Sequence, residues 1–145
     1  MSSLTDVGPA ATTARTHIFV YGTLRLGEPE SARMRVCERV RAARVTGTLY
    51  DVDGSYPALV LAGTDTVYGE IWRCTPETLM ELDRCEFVTE GLFRRVALRI
   101  DGLACWTYVA GGAIATRLSP ARRIPGGSWS AFVGTGHDGS RARDG

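Results

Sequence analysis

The stretch His17-Ile18-Phe19-Val20-Tyr21-Gly22-Thr23-Leu24-Arg25-Leu26-Gly27 reads as a β-strand running into a polar, glycine-containing turn. Ile18, Phe19, Val20 and Tyr21 are β-formers, and Gly22 permits backbone angles that other residues avoid. Pro29 then suits the first position of a helix predicted over 29–40. The local plan is strand, loop, helix. Backbone N–H groups that leave a strand without ladder partners can converge on one space, which suits a carboxylate, a phosphate or a developing oxyanion. An ordinary βα connection satisfies the same pattern, so the stretch poses the question of what its turn holds without answering it.

The rest of the chain bounds the answer. A length of 145 residues with 44% hydrophobic side chains fits a single globular domain. The formal net charge is +1, and the basic residues are interspersed with acids, which leaves no electrostatic footprint for nucleic acid or an anionic membrane. All 17 Lys-or-Arg positions are arginine, a bias that points to a GC-rich bacterial coding sequence. With no lysine, Schiff-base catalysis and a Walker-type phosphate lysine are excluded. Residues 1–16 lack the apolar run of a signal peptide, and no apolar run approaches the ~18 residues of a membrane span, so a cytoplasmic location is expected. Cys37, Cys74, Cys85 and Cys105 form no close metal-ligand pair and read as reduced core thiols.

Both ends are low in anchoring apolar groups: disordered tails are predicted over 1–15 and 134–145, with one domain over 16–133. Strands are predicted at 17–21, 44–52, 57–61, 67–73, 93–100 and 103–109, and helices at 29–40 and 75–86. Asp101-Gly102 is a hairpin turn between the last two strands. Short strands outnumber helices, which favours an α+β fold with a curled sheet or barrel over a doubly wound one.

A second stretch, Thr75-Pro76-Glu77-Thr78-Leu79-Met80-Glu81-Leu82-Asp83-Arg84-Cys85-Glu86, carries its own start signals: a capping threonine, proline at the first helical position, and an acid in the first turn. Leu79, Leu82 and Glu86 follow at helical spacing, which turns Glu86 toward the apolar face. An inward carboxylate must be paired, hydrogen-bonded or shifted in pKa. That describes a general base, and it equally describes one half of an ion pair with Arg94 or Arg95.

Taken in order, "FVYGTLRLG", "YPALV", "VYGEIW", "LDRCE" and the Phe-Arg at 93–94 resemble the γ-glutamylcyclotransferase-like superfamily over about residues 17–109, with a possible extension to "GGSW" at 126–129. The resemblance implies a small mixed β-barrel flanked by helices. It places Tyr21, Gly22, Thr23 and Leu24 on the substrate loop, with Phe93 beside them, and Glu86 on the catalytic acid. It implies release of 5-oxoproline from a γ-glutamyl amine or amide, by attack of the substrate's α-amine on its own γ-carbonyl, with no metal or cofactor. Members act on γ-glutamyl amino acids, on γ-glutamylamines, or remove a γ-glutamyl protecting group during antibiotic assembly. Others have no established activity, so a non-catalytic pocket protein is the competing reading.

Three departures bear on that expectation. Many relatives have glycine after the catalytic acid, whereas Phe87 stands here and the next Glu-Gly pair is Glu90-Gly91, which makes Glu90 a rival base. Phe93 replaces a tyrosine frequent in cyclotransferases, and "LSPARRIPGG" has no tyrosine beside it. Phe93, Trp106 and Tyr108 together predict an apolar wall on the leaving-group side. Other chemistries lack parts: His17 and His137 are poorly placed for a Cys/His pair or a triad. The "DVDGS" at 51–55 reads as a turn and not a calcium loop.

Overall fold

The computed structural model describes residues 16–25, 27–28 and 31–133. The tails predicted over 1–15 and 134–145, together with His137, lie outside the described residues. Strand β1, Thr16–Val20, is followed by a 3-10 turn at Ser31–Met34. Two long strands come next, β2 at Glu38–Val52 and β3 at Tyr56–Cys74. Helix α1 spans Pro76–Cys85, β4 spans Phe93–Ile100 and β5 spans Leu103–Ala110. A short helix, α2 at Gly112–Ala115, and a 3-10 turn at Pro120–Arg122 complete the itinerary, with residues 129–133 again helical.

The five strands form one sheet in the order β2-β3-β1-β5-β4. β1 runs antiparallel to β3 and parallel to β5, and the pairs β2–β3 and β4–β5 are antiparallel. The fold is α+β, as expected. Among the described residues no ladder joins the edge strands β2 and β4, so the sheet curls without closing as a barrel. An ion pair from Arg41 on β2 to Asp101 in the β4–β5 turn, 3.3 Å, links its two sides.

Alternation along β1 divides the core. Ile18 and Val20 face one side with Trp72, Leu79, Leu82 and Ile114, under α1 and α2. Phe19 and Tyr21 face the other side with Leu49, Leu59, Ile71, Val109, Ile124 and Trp129, inside the curl. The C-terminal segment caps that inner core: Ile124 N–H donates to Leu49 O and Tyr68 N–H donates to Gly127 O, both at 2.8 Å.

Two expectations are corrected. Of the helix predicted over 29–40, the described residues 31–40 form no α-helix: a 3-10 turn occupies Ser31–Met34 and β2 has begun by Glu38. Ladder pairing overrides local preference there, with Arg39 opposite Trp72 and an Arg73–Glu38 ion pair of 2.6 Å across the strands. The strands predicted at 57–61 and 67–73 are one strand. Thr48 pairs with Val60 but Gly47 pairs with Asp65, so residues 61–64 bulge out of register, with Gly63 at φ +91°. Thr48 Oγ1 donates to Ala62 O at 2.7 Å and pins the bulge.

The turns follow their sequences. Asp101 and Gly102 take φ of 52° and 83°, a type I′ signature. At 51–55 the Asp51 carboxylate accepts from Gly54 N–H at 2.9 Å, a side-chain-stabilised turn. All four cysteines are free thiols; Cys74 and Cys105 are buried, whereas Cys37 and Cys85 are partly exposed.

Candidate active site

Beyond the last β1–β3 pair, Val20 with Glu70, the chain leaves the ladder and turns, Arg25 N–H donating to Gly22 O at 3.0 Å. The reason for glycine at 22 differs from the expected one. Its φ is not in the left-handed region; instead a Cβ there would lie 2.6 Å from Pro57 Cγ. Gly22 lets the turn close against the Tyr56-Pro57 corner, so the first and second sequence motifs meet in space.

Opposite this turn stands the end of α1. Thr75 accepts from Thr78 N–H and Pro76 opens the first turn, as the sequence indicated. At the other end Glu86 is the C-cap, its N–H bonded to Leu82 O at 2.8 Å. Phe87 N–H then donates to Arg84 O and Val88 N–H to Asp83 O, the paired bonds of a Schellman ending. The residue after the cap in that ending is left-handed and usually glycine; here it is Phe87, at φ 53°. A bulky side chain in this region costs about 1–2 kcal/mol. Among the described residues, the other non-glycine ones with positive φ are Asp53 and Asp101, a residue type that tolerates it.

Between turn and helix end lies a cavity of about 430 Å³. Tyr21, Gly22, Thr23, Leu24, Glu86 and Phe93 all line it. Each residue expected at the site thus borders a single space. Glu90 does not line it and is exposed. Phe93 is buried, with its ring 5.9 Å from that of Tyr56. Trp106 is outside the lining, covered by the Arg95 guanidinium at 4.3 Å, which corrects its expected place in the leaving-group wall. Tyr108 does line the cavity.

The hydroxyls of two lining residues, Tyr21 and Tyr108, are hydrogen-bonded within the protein. Tyr21 Oη donates to Tyr108 O at 2.6 Å and accepts from Leu59 N–H at 3.2 Å, tying β1 to β5 and β3. Tyr108 Oη donates to Asp83 Oδ1 at 2.6 Å, and Arg95 Nε holds the same oxygen at 2.9 Å. Arg95, one of two expected partners of Glu86, therefore serves Asp83. Burial pushes the Tyr21 hydroxyl far above its ordinary value, and the nearby Glu86 charge acts in the same direction, against the Leu59 N–H. Burial is also the main reason the Tyr108 hydroxyl is raised. Its bond to Asp83 and the Asp83 and Glu86 charges add to the rise, and Arg95 opposes it. Glu86 thus lies within electrostatic reach of both hydroxyls.

Behind the turn, buried Glu70 accepts from the Trp72 indole at 3.0 Å and lies 3.6 Å from the Nε atoms of both Arg25 and Arg39. Arg25 so fixes the far end of the turn to the sheet. Among the described residues no group of three or more His, Cys, Asp or Glu could hold a metal ion, and no helix is long and apolar enough to cross a membrane.

The family model for "γ-glutamyl cyclotransferase, AIG2-like" matches residues 18–131. The chain belongs to this family. A γ-L-glutamyl-butirosin B γ-glutamyl cyclotransferase of Niallia circulans is 34% identical over 103 residues, covering 64% of this chain and 65% of that protein's length. Among solved structures, an AIG2-like protein of Mus musculus superimposes with a TM-score of 0.59 at 26% identity, covering 74% of this chain and 82% of the other. A uropathogenic Escherichia coli-specific protein, at TM-score 0.71 and 22% identity, covers 83% of this chain and 97% of its own and shares the fold.

Four lining residues were not marked individually by the sequence. Tyr56 and Pro57 lay within a recognised motif without a role, Arg33 within the supposed helix, and Phe87 was visible only as a departure from the family pattern.

Proposed function

We propose that this protein is a γ-glutamyl cyclotransferase that releases 5-oxoproline from a γ-glutamyl amine or amide. The observation that supports it is the meeting of the Tyr21–Leu24 turn and Glu86 across one cavity in a member of this family.

Glu86 takes a proton from the substrate's α-amine as the nitrogen attacks the γ-carbonyl carbon, forming the five-membered ring. Backbone N–H groups of the turn, beyond the last ladder pair, stabilise the tetrahedral oxyanion. Protonated Glu86 then returns the proton to the departing amine as the C–N bond breaks, so one carboxyl group serves both halves of the reaction. The turn's anchors, Gly22 against Pro57 and Arg25 beside Glu70, hold those donors in fixed positions.

The Niallia relative is named for γ-L-glutamyl-butirosin B, which supports a γ-glutamyl group carried on an amine of secondary metabolism as the substrate class, and removal of that group as the role. The test is a panel of γ-glutamyl amides assayed for 5-oxoproline and free amine. Release by wild-type protein and its loss in Glu86→Gln is the expected result. Binding of the amides with no 5-oxoproline from any of them would instead identify a non-catalytic binding protein.

A further inference from the structure

We propose that Phe87 selects the leaving amine, favouring amines with a flat apolar or aromatic body; this rests on the cyclotransferase reading above. Three observations meet at this residue. It lines the cavity immediately after Glu86. Its side chain is 50% exposed, so burial in the core does not account for an aromatic there. Its φ of 53° is one that glycine adopts without strain and phenylalanine does not.

The Schellman bonds that end α1 come from the backbone N–H groups of residues 87 and 88, so glycine at 87 would preserve them and relieve the strain. What distinguishes phenylalanine from glycine at this position is therefore the side chain and not the backbone bonding. The exposure of the lining residues indicates what that side chain meets. Tyr21 and Leu24 of the turn are buried, whereas Phe87 is half-exposed. With its glutamyl group in the buried turn, a substrate would extend its leaving amine toward the exposed part of the lining, where Phe87 stands. There the Phe87 ring offers an apolar face, and the cavity's 430 Å³ falls within the range that houses ligands larger than a glutamyl group alone.

The probes are γ-glutamyl-benzylamide and γ-glutamyl-methylamide, which share the glutamyl group and differ in the amine. Wild-type protein should prefer the benzylamide in kcat/KM. In Phe87→Gly the benzylamide-to-methylamide ratio should fall by about tenfold, carried mainly by KM, while the thermal midpoint stays at or above the wild-type value. Phe87→Ala, which removes the ring but retains the strained backbone, should lose the same discrimination and be less stable than Phe87→Gly. An unchanged ratio in both variants overturns the assignment of Phe87 and leaves the cyclotransferase reading standing. So does a wild-type preference for the methylamide. Wild-type protein that releases 5-oxoproline from neither amide overturns the underlying reading and the proposal with it.

Discussion

Glu86 and Glu90 are close in sequence, yet α1 and its ending send them to different places. Glu86 caps the helix at the cavity, and Glu90 follows the left-handed turn at Phe87 into solvent. Glu86→Gln should therefore lower kcat by about 10²-fold or more with substrate binding retained, whereas Glu90→Gln should stay within a few-fold of wild type, both read as 5-oxoproline release. Tyr21 makes a separate prediction. Its hydroxyl accepts from one strand and donates to another, so Tyr21→Phe leaves Leu59 N–H and Tyr108 O without that partner, at a cost of about 1–3 kcal/mol in denaturant titrations at neutral pH. The pH dependence follows from the raised hydroxyls of Tyr21 and Tyr108. Above pH ~10 the unfolded chain releases these protons and the folded one holds them. Stability is thus fully present below that pH and falls above it, by up to about 1.4 kcal/mol per pH unit for each group. Tyr21→Phe should flatten that alkaline decline in unfolding free energy. Side-chain identity at the site was legible because Glu86 sits in helical phase with Leu79 and Leu82, whereas the engagement of Tyr21 was not, since its partners are 38 and 87 positions away.

At the scale of elements, legibility followed where the deciding forces were local. Helix α1 announces itself through Thr75, Pro76 and Glu77, and the β4–β5 hairpin through Asp101-Gly102, because caps and tight turns are made by neighbours in the chain. The beginning of β2 carries no such signal. Residues such as Val40 and Arg41 accept either helix or strand, and the partner that decides lies on β3 some thirty positions later. The bulge at 61–64 was equally hidden: its residues read as a connection, and only the Thr48 hydroxyl and the shifted ladder keep them in one strand. The cap also gives a test of how α1 supports the site. Thr75→Ala should destabilise the protein by about 1 kcal/mol in urea unfolding, through the lost bond to Thr78 N–H. Its kcat should remain within twofold of wild type in buffer, because the far end of the helix, where Glu86 sits, is held by the Schellman bonds and by the Asp83–Arg95 pair.

The whole molecule depends on its C-terminal segment to seal the inner core. Ile124 and Trp129 are buried inside the curl, and the passage between them requires Gly127, where φ is 70° and a Cβ would stand 1.7 Å from Thr66 O. Gly127→Ala forces the backbone to move away from β3 and breaks its bond to Tyr68 N–H. A loss of at least ~2 kcal/mol in unfolding free energy is expected. Of these relations the sequence offered only "GGSW" as an extension of the family pattern, since packing across the sheet leaves no periodic trace.

An open sheet also has two outer edges, and here both carry arginines. β2 has Arg39, Arg41 and Arg44, and β4 has Arg94, Arg95 and Arg99; of these, Arg39, Arg41 and Arg95 are paired with Glu70, Asp101 and Asp83. Unpaired strand edges invite another copy to add its own strand, and rows of like charge oppose that encounter. The opposition is electrostatic, so it weakens as added salt shortens the screening distance from about 10 Å at 0.1 M to about 3 Å at 1 M. Self-association measured by light scattering should rise with salt, and replacing Arg44 and Arg99 by threonine should bring that rise to lower ionic strength. Arg44 and Arg99 are thus expected to act against edge-to-edge self-association.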